Sequence, residues 1–465
     1  MGEGPWRNEL AYPLAISLLG LAFYSAFLFR YPLAYGYDGA YYLVQVRQIA
    51  RSGHLRHGDP PLAFYLFYAL SVLLGDYTLG LKVGAILAAS LLAFPAYYFL
   101  RDAFGDRRPA FIGTLLAVFS YQVLRLSCDL LKNLVGSLFF TSSALTFHLG
   151  LRGKGRGLRA LLASSAFLIL AGLTHVLAFF TTLAFMLIYA SLSVLTGGLR
   201  PREALRPLAL VLSAPLGLVA LGLALKPEFF SDVLKLGYFL VDLFSLRGLG
   251  FPVEPWPMIY ILFALSCYTA HRAYRRPVGP RALAISISIL GAIITAPIVP
   301  SDWLWRISLM GFLPYSFLTL ELTNKGLRKR LLALLMAIML AHTVAGFIIM
   351  GPSISQAEYE DLKAMSPLVP KGSVVFVPDT PSPLAQHLGF TVYGPRLLYW
   401  AEYILDCDCK RWLGPDLFRR YEHVLALLPV GLKIPGVRMV LIYEGEELAL
   451  YEVLTPPPEL IRYPW

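Results

Sequence analysis

The chain has 465 residues, 57% of them hydrophobic and only 15% charged. Apolar runs of about 20 residues recur along most of its length, separated by short basic loops. This excludes a soluble globular class, and also a transmembrane barrel, whose strands would read as short alternating segments. The formal net charge of +11 is therefore a matter of loop placement, and no nucleic-acid partner is read from it.

The first apolar run, 11–29, is too long for a signal-peptide core and lacks a small-residue cleavage site, so it reads as a membrane anchor. Behind it lies 35–61, the most polar part of the first hundred residues. Asp38 stands just outside an apolar run, ahead of Gly39, Tyr41 and Tyr42. From Tyr41 to Arg51 the spacing is helical: Tyr42, Leu43, Val46, Ile49 and Ala50 form an apolar face. Gln45, Arg47, Gln48 and Arg51 cover the other, as in a helix lying in the membrane surface. Gly53 ends it, and Asp59-Pro60-Pro61 begins a new element. Two readings fit this stretch: an active-site loop at the mouth of a bundle, and a solvated connection.

Further spans are predicted at 79–100, 109–123, 130–149, 158–173, 176–195, 208–225, 257–270, 283–299, 304–320 and 331–350. Compact basic loops fall at 101–108, 152–159, 200–206, 272–281 and 325–330, all on one side under this assignment. The positive-inside rule makes that side cytoplasmic. The topology turns on 62–74, an apolar stretch of thirteen residues. A span needs about twenty, so this segment is laid in the outer interface. If it crossed, all five basic loops would face outward. The expectation is an all-α polytopic bundle of eleven spans, with a cytoplasmic N-terminus and an extracytosolic C-terminus in the cell membrane.

The outer surface then holds Asp38 and Asp59 in the first loop, and Lys82 at the start of the second span. Arg125, Asp129 and Lys132 fall in the second turn, His175 in the third, and Asp302 with Arg306 in the fifth. The fourth loop, 226–256, is longer and carries Glu228, Asp232, Lys235, Asp242, Arg247 and Glu254. Ionisable groups at membrane depth are costly and tend to line a cavity or pathway.

After Gly351 the character changes. A buried strand is expected at 374–377, short helices at 384–388 and 396–405, and a hairpin with alternating faces from 438–443 and 448–453. This makes 351–465 a small extracytosolic α/β domain, beside a membrane domain at 1–350 whose external loop is 30–78. Cys128, Cys267, Cys407 and Cys409 are too scattered for a disulfide framework. Two thiols as close as those of Asp406-Cys407-Asp408-Cys409 cannot complete a tetrahedral metal cage, which leaves a solvent-exposed turn or an unusual local disulfide. None of the three Asn lies in an N-x-S/T sequon.

Asp38 and Asp129 come from loops far apart in sequence, and Lys82 and Arg306 sit at comparable depth. Transfer from a lipid-linked phosphate needs such a set. One carboxylate removes a proton from an acceptor hydroxyl or amide. The cations stabilise charge on the departing phosphate. A second carboxylate binds the acceptor, orients the base or holds a divalent metal. The same residues also suit interhelical ion pairs, or an ion pathway in a transporter.

The order of pieces resembles the GT-C glycosyltransferases, among them the protein O-mannosyltransferases, the lipid A aminoarabinose transferases and archaeal relatives. Those pieces are an external loop with an early Asp and an interfacial helix, then Pro60-Pro61 and an apolar segment, then Gly75-Asp76-Tyr77-x-x-Gly80-Leu81-Lys82. Asp129 in RLSCDLLKN, Trp305-Arg306 and Pro314 match later parts of the pattern. The resemblance implies a GT-C bundle and a polyprenyl-phosphate or dolichyl-phosphate sugar as donor. It also implies inversion by direct displacement, with Asp38 as base. Lys82, Arg306, Arg125 and Lys132 then bind donor phosphate. Tyr41, Tyr42, Asp59, His175 and Asp302 line the substrate cavity, and any metal would sit on Asp38 and Asp129.

The chain departs from the family where Gly39 replaces a second carboxylate and Asp59 replaces a lysine. No W-W-D-Y-G sequence occurs, which argues against an oligosaccharyltransferase catalytic subunit. There is also no Gly-rich nucleotide-sugar fingerprint. Partners implied are membrane lipids, the lipid-linked sugar and an acceptor protein, glycan or lipid. The reading from another class is a transporter or flippase for a lipid-linked or small polar substrate; that would favour internal repeats, and no convincing repeat is found.

Overall fold

A computed structural model gives the fold. It describes the chain outside residues 1–8, 154–156, 226–236, 238–240, 242–255, 275–277, 297–300, 324–328, 382–392, 395, 458 and 463–465. The fourth outer loop and the expected helix at 384–388 lie outside the described residues. The chain forms two units: Met1–Arg30, His57–Leu70 and Lys82–Ile348 make the first, and Tyr31–Arg56, Ser71–Leu81 and Ile349–Trp465 the second.

The first unit is helical. Among the described residues, seven helices are long and apolar enough to cross a membrane: Ala11–Leu28, Tyr77–Phe104, Arg107–Cys128, Leu131–Leu151, Gly157–Thr174, Val176–Leu195 and Arg330–Ile349. Their elements are α1 (Ala11–Leu28), α4 (Tyr77–Leu91) with α5 (Ala93–Phe104), α6 (Arg107–Val118) with α7 (Tyr121–Cys128), α8 (Leu131–Leu151), α9 (Gly157–Thr174), α10 (Val176–Leu195) and α16 (Lys329–Ile349). The other four expected spans are helical too: α11 (Pro201–Leu225), α12 (Trp256–Ala273), α13 (Val278–Thr295), and a broken pair, α14 (Ser301–Ser308) and α15 (Phe312–Thr323). The break is a 3-10 turn at Leu309–Gly311. Pro314 fits the break, because a proline removes a backbone donor and sits most easily in the first turn of a helix, and α15 restarts two residues before it.

Helix α3 (Leu62–Leu74) has thirteen residues, too few to cross. Between α6 and α7, Ser120 takes an extended backbone and its hydroxyl accepts the Val123 N–H at 3.2 Å. The helix therefore restarts there instead of ending at Val123, and Arg125 belongs to α7, not to a loop. Many buried hydroxyls, such as Thr114, Ser137 and Thr141, donate to the carbonyl four residues back. That leaves little polarity exposed inside an apolar bundle.

One end of this unit is tied by ions. The Glu9 carboxylate accepts from Arg101 and Arg107, each at 2.9 Å, and from the Tyr97 hydroxyl at 3.1 Å. Burial alone would raise its pKa, but the two arginines outweigh that and hold it below the usual value. Asp102 pairs with Arg152 and with His148 Nε2, the latter at 3.0 Å. The first two basic loops therefore share one end of the bundle, and α4–α5, α6–α7 and α8 carry Lys82, Arg125 and Lys132 to the opposite one.

In the second unit a five-stranded sheet runs in the order β4-β1-β6-β8-β7. Its strands are β1 (Val374–Phe376), β4 (Asp408–Lys410), β6 (Val424–Pro429), β7 (Met439–Glu444) and β8 (Leu448–Val453). Strand β1 pairs in parallel with β4 and β6, whereas β6, β8 and β7 are antiparallel. Two short pairs, β2 (Thr380–Pro381) with β3 (Tyr393–Gly394) and β5 (Trp412–Leu413) with β9 (Ile461–Arg462), flank it. The expected hairpin forms as β7–β8, but β8 is buried along nearly its whole length instead of alternating, as a strand does when both of its faces are covered. The central strand β6 has no period at all, being buried from Val424 to Leu428, which is why its sequence gives no strand signal.

Asp361, on α17 (Gln356–Met365), fixes the hairpin turn by accepting the N–H groups of Glu446, Glu447 and Leu448 at 2.8–3.0 Å. The stretch around Asp38 belongs to this unit. Gly36 forms a parallel bridge with Pro352 and donates to the Gly351 carbonyl at 3.0 Å.

Candidate functional site

Asp38 occupies the N-cap position of α2 (Gly39–Ser52), which ends at Gly53 in a left-handed conformation as the sequence predicts. An N-cap Asp ordinarily accepts a backbone N–H of the first turn. The Asp38 carboxylate does not cap its helix, so the commonest structural use of an Asp at this position is absent. A Cβ added at Gly39 would lie 3.1 Å from the Ala34 carbonyl carbon. That approach is tight, so any side chain beside Asp38 would require Ala34 to shift by a few tenths of an ångström. Tyr42 is 1% exposed and belongs to the core of its unit. Tyr41 accepts from Gln45 Nε2 at 3.0 Å and meets Tyr399 edge-on at 5.0 Å.

The polar face of α2 differs from expectation. Gln45 is fully buried, and its Oε1 accepts the Arg56 N–H at 2.8 Å. Arg47 donates to the carbonyls of Tyr403 and Glu402, and its guanidinium lies 5.0 Å from the Tyr403 ring centre. These two carbonyls come from α18 (Leu398–Leu405). Arg47 and Arg51 both reach Asp406, at 3.1 and 2.6 Å, while Arg56 pairs with Glu402 and, at 2.6 Å, with Asp408. Within this unit, what looked like a water-facing side is a packed contact. The partners sit about 350 residues away in sequence, out of reach of any local pattern.

In the first unit the expected cations are buried. Lys82 and Arg125 are each 6% exposed and Lys132 is 9% exposed. Asp59 and Asp129, each 2% exposed, are the buried carboxylates of the same set. Lys132 Nζ donates to Asp59 at 2.7 Å and lies 5.6 Å from the Phe64 ring centre. Arg125 pairs with Asp129 one helical turn on, so the expected outer turn shrinks to Asp129 and Leu130 between α7 and α8. The Lys82 ammonium lies over Phe29 at 5.7 Å.

Trp305 brings the late arginine in. The Arg125 guanidinium lies 5.6 Å and the Arg306 guanidinium 5.3 Å from its ring centre. Arg306 itself is exposed. Indole faces attract guanidinium groups, and one ring holds two of them at this end of the bundle. Tyr121 of α7 also stacks on His342 of α16 at 3.8 Å, a contact the sequence does not announce.

His175 caps α10, its Nδ1 accepting the Leu177 N–H at 3.0 Å. That accounts for it by a local structural bond. The Asp302 side chain is outside the description. Among the described residues, no three His, Cys, Asp or Glu side chains gather as metal ligands, and Asp129 is engaged with a guanidinium. Among the described residues the donor set does not fit a resident divalent ion, and no step is routed through one.

No protein-family model and no curated protein matches the chain. Solved structures do. ArnT from Cupriavidus metallidurans bound to undecaprenyl phosphate aligns at TM-score 0.59 and 13% identity, over 97% of this chain and 98% of that one. The Archaeoglobus fulgidus oligosaccharyltransferase AglB, with an inhibitory peptide and a dolichol-phosphate, aligns at 0.58 and 13%, over 90% and 70%. Against the apo form of that oligosaccharyltransferase, the chain spans only 65% of its length. The mycobacterial arabinofuranosyltransferase AftD aligns at 0.52 and 12%, over 95% of this chain and 41% of that one. The fold of this chain is the GT-C fold of membrane glycosyltransferases.

Proposed function

We propose that the chain is an integral-membrane glycosyltransferase that takes a hexosyl or pentosyl unit from a polyprenyl-phosphate or dolichyl-phosphate carrier. The acceptor is a protein, glycan or lipid at the outer membrane face, and transfer inverts the anomeric carbon. The observation that carries this reading is the cluster of buried cations Lys82, Arg125 and Lys132 at one end of a GT-C bundle. Buried Lys and Arg side chains near the end of a membrane bundle tend to line a substrate pathway, and a lipid phosphate is an anion that such a set suits. Two neighbours of the same fold were solved with such lipids, a dolichol-phosphate and an undecaprenyl phosphate.

In this mechanism Lys82 and Arg306 take the charge that develops on the departing phosphate. Asp59 and Asp129 hold Lys132 and Arg125 in place through the ion pairs described above. Asp38 accepts the proton of the attacking acceptor group. Support for that role comes from a carboxylate at a helix start that is not used as a cap. The 1–350 domain spans the membrane with its N-terminus in the cytoplasm, and 351–465 lies outside. Single-cysteine labels at Gly153 and Gly198 then react only from the cytoplasm, and one at Pro381 from outside.

The deciding experiment is turnover of a panel of dolichyl- and undecaprenyl-phosphate sugars by purified protein, with released lipid phosphate measured. Lipid phosphate released in step with sugar transfer is the expected result. Movement of intact lipid-linked sugar across vesicles without release would make the chain a flippase.

A further inference from the structure

We propose that Cys407 and Cys409 form a thiol–disulfide redox site, a C-x-C pair that reacts with disulfide-class oxidants and, once closed, stiffens the turn gripping α2. Their sulfurs lie 3.7 Å apart, with both residues half-buried. Residues two apart on an extended strand point to the same face, and Cys409 sits in the middle of β4. That strand ends the order β4-β1-β6-β8-β7, so one of its edges carries no strand of the sheet. The backbone there can pucker to bring the sulfurs to the ~2.05 Å of a bond. Asp406, immediately before the pair, is the only described non-glycine residue with positive φ, at 55°. The turn is therefore already bent where the ring would close.

The chemistry balances with an external disulfide as oxidant. The Cys407 thiolate attacks one sulfur of the reagent and expels a thiolate, which takes a proton. Cys409 then loses its proton, attacks the mixed disulfide at Cys407 and expels the second thiolate. Two protein thiols become one disulfide as one reagent disulfide becomes two thiols.

The consequence for α2 follows from alternation. Asp406 and Asp408 interleave with the two cysteines, and their carboxylates receive Arg47, Arg51 and Arg56. Asp408 also accepts the Tyr421 hydroxyl at 2.7 Å. Closing the ring removes backbone freedom at Asp408, whose carboxylate receives Arg56, and stiffens the chain directly after Asp406.

Full-length protein in detergent is equilibrated with a mixture of oxidised and reduced glutathione, alkylated, and mapped by peptide mass. The peptide holding both cysteines should lose two hydrogens and take no alkyl group, while Cys267 still alkylates. Cys407→Ser and Cys409→Ser should each instead trap one glutathione on the remaining thiol. In the oxidised protein, amide hydrogen exchange over residues 47–52 should slow several-fold relative to the reduced form. Two alkyl groups, or two glutathiones, on the wild-type peptide would overturn the site. A closed bond with unchanged exchange in α2 would overturn the grip. Sugar transfer is not read, so the outcome is separate from the proposed activity.

Discussion

The two units handle charge in opposite ways. In the membrane unit, Lys82, Arg125 and Lys132 are at most 9% exposed, and Asp59 and Asp129 are each 2% exposed. In the second unit, Arg47, Arg51 and Arg56 meet an equal set, Asp406, Asp408 and Glu402, and Arg51 and Asp406 are each half exposed. A balanced, solvated group is adhesive and has nothing left for a ligand. A dehydrated set of cations attracts an anion more strongly than a solvated one. Under the proposed function, the first set faces the donor phosphate and the second holds α2 in place.

The sharpest test starts from Asp38. Asp38→Asn keeps size and much of the hydrogen bonding but cannot accept a proton, so single-turnover transfer should fall roughly a hundred- to ten-thousandfold. Donor binding should stay near normal. Asp38→Glu should also be poor, because an added methylene displaces the carboxylate by about an ångström. Transfer that survives Asp38→Asn would remove the base from the mechanism.

Breaking the buried pair comes next. Lys132→Met leaves Asp59 buried beside an apolar side chain, which should cost about 3–5 kcal/mol of stability, read as a lower unfolding midpoint in denaturant. The double variant with Asp59→Leu should recover much of that stability but not transfer. A Lys132→Met variant as stable as wild type would place this pair with the adhesive kind.

Arg306 is exposed, so its replacement barely touches the fold. Arg306→Ala should lower turnover on the order of a hundredfold, and Arg306→Lys should restore part of it, since charge remains while the planar fork is lost. Unchanged turnover with Ala would move Arg306 to structure.

The smallest effect belongs to the clamp. Arg51→Ala should cost under about 1 kcal/mol, the usual scale for exposed pairs. Its pH dependence is the finer readout. The Arg51 hydrogen bond holds the Asp406 carboxyl below its ordinary 3.8, and the Tyr421 hydroxyl does the same for Asp408. A depressed carboxyl stabilises the fold fully above its unfolded pKa and stops doing so as pH falls through the folded one. The thermal midpoint gap between wild type and Arg51→Ala should therefore hold from pH 7 to about 5 and close below pH 3.8. A gap that persists at lower pH would show that Arg51 acts by packing.

Sequence by itself determined what rests on local chemistry. Apolar length made the helices, thirteen residues kept α3 short of a span, and Gly53 closed α2 through its positive φ. Charge type picked out Lys82, Asp129, Lys132 and Arg306, because ionisable groups near span ends stand out against apolar runs. Tertiary structure decided who meets whom. Asp59 with Lys132, Arg125 with Trp305, and Arg51 with Asp406 join residues 73 to 355 positions apart. No periodicity encodes such pairings. Strand β6 was missed for a related reason: a strand buried on both faces loses its alternation. The polar face of α2 misled because an amphipathic pattern reports only that one side differs from the other. Water, lipid headgroups and a second protein surface satisfy arginine and glutamine equally well, and only the packed unit shows which of them is there.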